Sequence, residues 1–160
     1  MSLSTFTVPI EDRYFEDYPA GAVYDFVGTL AVSEEEIIAF ARQFDPQPFH
    51  VDREAAKHSE FGGIIASGWH TAGIMMRLYA DQYLSKVASL ASPGGDELRW
   101  LMPVRPGDVL SLRVTVLEAH RSRSKPDRGI VRTFAEVLNQ RREVVMSVKA
   151  VNFLRCRKRI

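Results

Sequence analysis

The sequence predicts an α+β fold: one strand, two helical segments, one long buried helix, then a four-strand meander to the end. Three observations predict it. Ser67 to Val87 holds no proline, and its first half is apolar nearly all round, as in a helix covered by other structure. Leu110, Leu112, Val114 and Val116 alternate with Ser111, Arg113 and Thr115, and Val144, Met146, Val148 and Ala150 form another period-two set. Such alternation suits an antiparallel sheet with one covered face. Helices and strands are also segregated along the chain, which is the α+β pattern rather than an alternating one.

The elements follow in order. Glu11 to Ala20 is acidic and aromatic and reads as an irregular lead-in. Gly21 to Ala31 carries Val23, Tyr24, Phe26, Val27 and Thr29 and reads as a strand. Ser33 with Glu36 three residues later is a capping-box pattern. Ile37, Ile38, Phe40, Ala41 and Phe44 then fall at helical spacing, and that helix stops before Pro46. A loop follows, then a short helix near Arg53 to His58, for which Asp52 is the expected N-cap. Gly62 and Gly63 break the chain before the long helix. Its apolar half is Trp69, Ala72, Ile74, Met75, Met76, Leu78 and Tyr79, with the two methionines read as core. Polar residues gather later, at Arg77, Asp81, Gln82, Ser85 and Lys86. After Pro93-Gly94-Gly95 the predicted strands are Glu97 to Val104, Val109 to His120, Gly129 to Asn139 and Glu143 to Leu154. Turn-forming runs separate these four strands: Arg105-Pro106-Gly107-Asp108, Pro126-Asp127-Arg128-Gly129 and Asn139-Gln140-Arg141-Arg142.

A chain of 160 residues reads as a single domain, 1–160, and 46% hydrophobic residues suffice for its core. A formal charge of +1 gives no global signal for nucleic acid or an acidic membrane surface. Cys156 alone excludes an intramolecular disulfide and fits a reducing, cytoplasmic setting. No apolar run approaches the roughly 18 residues that span a bilayer. Met1 to Ile10 lacks the basic start and apolar stretch of a signal peptide. No His/Cys/Asp set has metal-site spacing, and no phosphate-loop pattern is present, so neither metal nor separate cofactor is expected.

The chemistry-bearing segment is Asp45-Pro46-Gln47-Pro48-Phe49-His50. An acid and an imidazole stand five positions apart, with two prolines between them that restrict the backbone. The spacing predicts a rigid loop holding both side chains at a fixed separation. Rigidity matters because misplacement of about 1 Å can cost ~100-fold in rate.

With Val51-Asp52 this segment resembles the hydratase loop of the MaoC-like dehydratase family, close to the (R)-specific enoyl-CoA hydratases. Two further stretches carry the resemblance: Phe61-Gly62-Gly63-Ile64-Ile65-Ala66-Ser67-Gly68-Trp69 and Arg105-Pro106-Gly107-Asp108. It covers about Tyr14 to Arg155. It implies the hotdog fold, a curved antiparallel sheet wrapped around one long central helix. Asp45 then matches the catalytic acid and His50 the catalytic histidine. Gly68 matches the glycine whose N–H meets the substrate's thioester carbonyl. Ser67 and Gln47 lie beside it as substrate-side positions. Both depart from the family pattern, Gln47 standing for Asn and Ser67 for His, and they bear on acyl specificity. The resemblance further implies an acyl-CoA thioester as substrate, with coenzyme A part of that substrate, and a homodimer or a multiple of one.

The residue types suit the chemistry. Hydration of a 2-enoyl thioester needs a water activated at C3 and a proton delivered at C2. Neutral imidazole accepts a proton near neutral pH. A carboxylate orients the water and handles a second proton. A free N–H at a helix start favours the oxyanion. A thioesterase of the same fold and a non-catalytic acyl-thioester-binding protein are the rival readings.

Other residues carry weaker signals. Ser67 is equally explained as a helix cap. His70, in the helix's first turn, either lines the pocket or is buried and hydrogen-bonded to backbone. His58 and His120 read as surface residues. Arg121, Arg123 and Lys125 form one basic cluster, and Arg155, Arg157, Lys158 and Arg159 another; either could meet coenzyme A phosphates or simply be solvated.

Overall fold

The structure, a computed structural model, describes residues 2–158. Its strands are β1 (Val23–Ala31), β2 (Gly94–Trp100), β3 (Val109–Arg121), β4 (Arg128–Leu138) and β5 (Val144–Arg155). Its helices are α1 (Glu34–Phe44), α2 (Pro48–Val51), α3 (Arg53–Lys57) and α4 (Gly68–Gln82), preceded by one 3₁₀ turn at Phe15–Asp17 in the lead-in. The strands form one antiparallel sheet in the order β1-β3-β4-β5-β2. The fold is the α+β hotdog.

Register explains which face holds the core. Val114 of β3 pairs with Tyr24 of β1 and Ala135 of β4, and Ala135 pairs with Val148 of β5. These four residues therefore share a face, with Leu112, Val116, Val137 and Met146 at even spacings along the same strands. Helix α4 crosses that face. Tyr79 fixes it there, its hydroxyl donating to Asn152 Oδ1 at 2.6 Å and lying 2.9 Å from Thr133 Oγ1. The predicted alternation holds in β3, where Leu110, Leu112, Val114 and Val116 are buried. In β5 it breaks: a register shift near Val137/Leu138 lets both Val145 and Met146 enter the core.

Several boundaries differ from the sequence reading, each for a local reason. The segment expected as a loop is helical in part: Pro48–Val51 is one turn of helix. Pro48 occupies the first helical position, where its missing N–H costs nothing and its fixed φ suits the helix. α4 ends at Gln82 rather than Val87. Beyond it Ser85 Oγ takes the N–H groups of Val87 and Ala88 and donates to Arg13 O, which turns the chain away. β2 ends at Trp100 rather than Val104, because Leu101 and Met102 N–H both turn onto Val145 O. The helix starts follow the sequence. Ser33 and Glu36 make the capping box of α1, and Asp52 Oδ1 accepts the Glu54 and Ala55 N–H groups at the start of α3.

One expectation about α4 fails. Thr71, Ile74, Leu78 and Tyr79 are buried, but Trp69 is 58% and Met76 46% exposed. The outer face of the helix is mixed: Trp69, Gly73 and Met76 are uncovered in the single chain, and Arg77 and Asp81 form an exposed ion pair beside them.

Candidate active site

Asp45 ends α1, its N–H still bonded to Ala41 O at 2.8 Å. The chain reverses there, Gln47 N–H closing onto Asp45 O, and α2 begins at Pro48. His50 lies on that single turn, 4% exposed. Its Nδ1–H donates to Ile65 O at 2.7 Å, in the extended segment before α4. In neutral imidazole this leaves the lone pair on Nε2. Nε2 faces Asp45 Oδ2 at 3.3 Å. The acid and imidazole singled out in the sequence are therefore neighbours in space.

The carboxylate is held from both sides. Ser67 Oγ–H donates to Asp45 Oδ2 at 2.7 Å, and Gln47 Nε2–H to Oδ1 at 2.7 Å. The Ser67 bond foremost, then Gln47 and the nearby His50, hold the Asp45 carboxyl below its ordinary range against the opposing effect of burial. Ser67 is fully buried and also accepts the Trp69 N–H at 3.3 Å. One hydroxyl thus caps α4, as the sequence suggested, and also steers the acid, which it did not. Ser67 and Gln47 are turned onto Asp45 and neither lines the cleft.

The cleft itself has a volume of about 280 Å³ and mostly apolar walls. His50, Phe61, Thr71, Trp100 and Val104 line it, together with Gly68 at the first turn of α4. His70 N–H bonds Ser67 O, and among the described residues no hydrogen bond takes the Gly68 N–H. That amide is one of the free donors at a helix start, where the dipole favours negative charge. A basic imidazole nitrogen, an ionised carboxylate behind it and a free amide on one apolar cleft can together move a proton and stabilise a developing oxyanion.

His70 departs from both sequence readings. It is not on the cleft wall, and its Nδ1 is buried without a hydrogen bond among the described residues. The ring stacks on Phe40 of α1 at 4.7 Å, and burial lowers its pKa against the opposing pull of Glu36. His58 and His120 are exposed. Sequence reasoning missed Ile65, Thr71 and Trp100. Ile65 acts through its carbonyl, which no side-chain pattern announces. Thr71 lies three residues beyond Gly68, one helical turn on and on the same face, a spacing that was readable. Trp100 comes from the far edge strand.

The two basic clusters meet at the other end of the sheet. Arg121, Arg128, Arg155, Arg157 and Lys158 border a second cleft of about 500 Å³. Arg159 lies outside the described residues. Carboxylates already engage three of the arginines: Glu16 with Arg121, Asp127 with Arg128 and Asp17 with Arg157. Met146 pairs with Trp100, and Arg155 is nine residues further along β5. At about 3.3 Å per residue, this cleft lies roughly 30 Å from the first.

Comparison with known proteins agrees with the fold. The crystal structure of the MaoC-like dehydratase from Rhodospirillum rubrum is 44% identical in sequence and superposes with a TM-score of 0.84, covering 92% of this chain and 99% of that one. YdeM of Bacillus subtilis (strain 168) is 32% identical over 126 residues, 79% of this chain and 87% of YdeM. The 3-hydroxybutyryl-CoA dehydratase of Methylorubrum extorquens is 29% identical over 110 residues, 66% of this chain and 64% of that protein. The model of the MaoC like domain matches residues 16–137, which hold all four helices, β1 to β3 and nearly all of β4, and the chain belongs to that family.

Proposed function

We propose that this protein is a hydro-lyase that reversibly adds water to a trans-2-enoyl-CoA, giving the (R)-3-hydroxyacyl-CoA. The observation that carries the reading is the Asp45–His50 pair: Ile65 O fixes the imidazole tautomer, and Nε2 faces the carboxylate at 3.3 Å. A relative whose name states dehydration of 3-hydroxybutyryl-CoA supports the substrate class.

In this mechanism the substrate water donates one hydrogen toward His50 Nε2 and the other toward Asp45 Oδ2. As its oxygen bonds to C3, Nε2 takes the proton and the C2–C3 double bond shifts toward the thioester. The Gly68 N–H receives the resulting oxyanion. The imidazolium then returns its proton to C2. Water is thereby added whole, and dehydration runs the same steps backward. Asp45, kept ionised by Ser67 and Gln47, orients the water and stabilises the imidazolium. No cofactor enters, since coenzyme A is part of the substrate.

The reading includes a homodimer with clefts near its interface, so that coenzyme A touches both chains. β2 pairs with β5 on one side only, leaving its other edge open to a second copy. At that edge the exposed rings of Trp69 and Trp100 lie 5.1 Å apart, and exposed Leu101 follows in the chain.

Absorbance at the enoyl-thioester band, read beside free-thiol release, tests the reaction. Loss of the band without thiol is the expected result. Thiol release would indicate a thioesterase, and neither signal across a panel of acyl lengths a binding protein.

A further inference from the structure

Gly68 poses a physical problem for the role just proposed. Glycine is the residue least restrained in φ and ψ. As the first residue of α4 it also lacks the intrahelical N–H bond that would hold it. An oxyanion donor must nevertheless be placed closely. Trp100, brought in from the end of β2, resolves the conflict. Its indole Nε1–H donates to Gly68 O at 2.9 Å. A Cβ built on Gly68 would come within 2.3 to 2.7 Å of three indole atoms, so the ring occupies the place of a side chain at 68. The same indole lines the cleft beside His50 and Thr71, and its outer edge meets Trp69 at 5.1 Å in an edge-on contact.

We propose that Trp100 is a positioning residue for the Gly68 amide: pinned to the Gly68 carbonyl and seated where a Cβ would be, its indole fixes the first turn of α4 against the thioester. The proposal rests on one part of the hydratase reading, the seating of a thioester carbonyl on the Gly68 N–H. It also revises the meaning of the glycine. Gly68 is required by the indole as well as by the substrate, so Gly68→Ala alone cannot separate the two roles, and Trp100 must be varied with it.

The test uses the full chain and four variants: Trp100→Phe, Trp100→Ala, Gly68→Ala and the Gly68→Ala/Trp100→Ala double. Melting temperatures read the contact. Gly68→Ala should lower Tm in the wild-type background and much less in the Trp100→Ala background. An equal loss in both would overturn the packing. Hydration kinetics read the positioning. Trp100→Phe keeps an aromatic ring but drops the Nε1–H bond and part of the indole, and should lower kcat about fivefold with KM nearly unchanged. Trp100→Ala should lower kcat by up to ~10²-fold. A rise in KM alone, or full kcat per folded molecule, would overturn the role. Light scattering on each variant guards against a dimer effect, and kcat loss confined to variants that come apart would also overturn it.

The carbonyl stretch of bound butyryl-CoA, a thioester that cannot be hydrated, supplies the readout independent of turnover. It should be lowered on wild type and move back toward the free value in Trp100→Ala. A shift that depends on Trp100 without any hydration would remove the hydratase reading and leave this one standing. Hydration with a shift indifferent to Trp100 would do the reverse, and a protein that binds no acyl-CoA would remove both.

Discussion

Asp45 and His50 divide the work because their partners differ. His50 is buried and spends Nδ1 on a backbone carbonyl, so only Nε2 is left for chemistry. Asp45 spends both oxygens on donors and stays ionised. Asp45→Asn and His50→Ala should each lower the hydration rate by about 10²–10⁴-fold in a folded protein. Turnover like wild type in either variant, on an active substrate, rejects the pair. Ser67→Ala tests the electrostatics. In the folded protein the Asp45 carboxyl lies below its ordinary value. Its contribution to stability is therefore complete above the unfolded-state value and is lost as pH falls through the folded one. Removing the Ser67 hydroxyl lets the folded value rise, so the Asp45 carboxyl should titrate at higher pH, read from its carboxyl carbon resonance. The same substitution removes the α4 cap at about 0.5–2 kcal/mol. A carboxyl resonance that titrates as in wild type would mean that Ser67 is only a cap.

At the scale of elements, the site is a meeting of four ends: the C-terminus of α1, the single turn α2, the start of α4 and the end of β2. Each is held by capping or turn chemistry rather than by long-range burial. Asp52 illustrates this: its backbone N–H closes α2 on Pro48 O, and its carboxylate Oδ1 starts α3. Asp52→Ala should cost about 0.5–2 kcal/mol by urea unfolding. Because α2 carries His50, kcat should also fall, without any direct contact to substrate. Loss of stability with kcat intact would show that α2 is positioned by Pro48 and the Ile65 carbonyl alone. Gly107 belongs to this scale too. It holds φ at +88° in the turn that docks on the end of β1, its N–H bonded to Val32 O. Gly107→Ala should therefore strain the turn by about 1–2 kcal/mol.

The whole molecule presents an open β2 edge and the exposed Trp69 of α4 on the side that carries the cleft. A stable dimer covering both is the expected solution state, and light scattering checks it. A stable, active monomer would contradict the shared cleft. The far end of the sheet has a different character. There Glu16 with Arg121 and Asp17 with Arg157 tie the lead-in to β3 and to the segment after β5, and Asp127 engages its neighbour Arg128. Raised ionic strength should loosen this latch before it affects the catalytic pair, which is more enclosed. Denaturant midpoints measured against salt at fixed pH would read the difference.

The sequence by itself determined the α+β class, the order of the main elements, the capping of α1 and α3, and the pairing of Asp45 with His50. These are local: periodicity, turn residues and short spacing act within a few positions, so they survive in one dimension. It also misled locally, where Pro48 read as loop and instead starts α2. The tertiary structure alone decided what meets across the fold. It set which carbonyl fixes His50, turned Ser67 and Gln47 onto Asp45 and away from the cleft, left Trp69 and Met76 uncovered, and laid Trp100 over Gly68 from 32 residues away. The physical reason is that these contacts depend on the sheet's register and on where α4 crosses it. Both are set by packing many residues at once, and no short stretch of sequence carries that information.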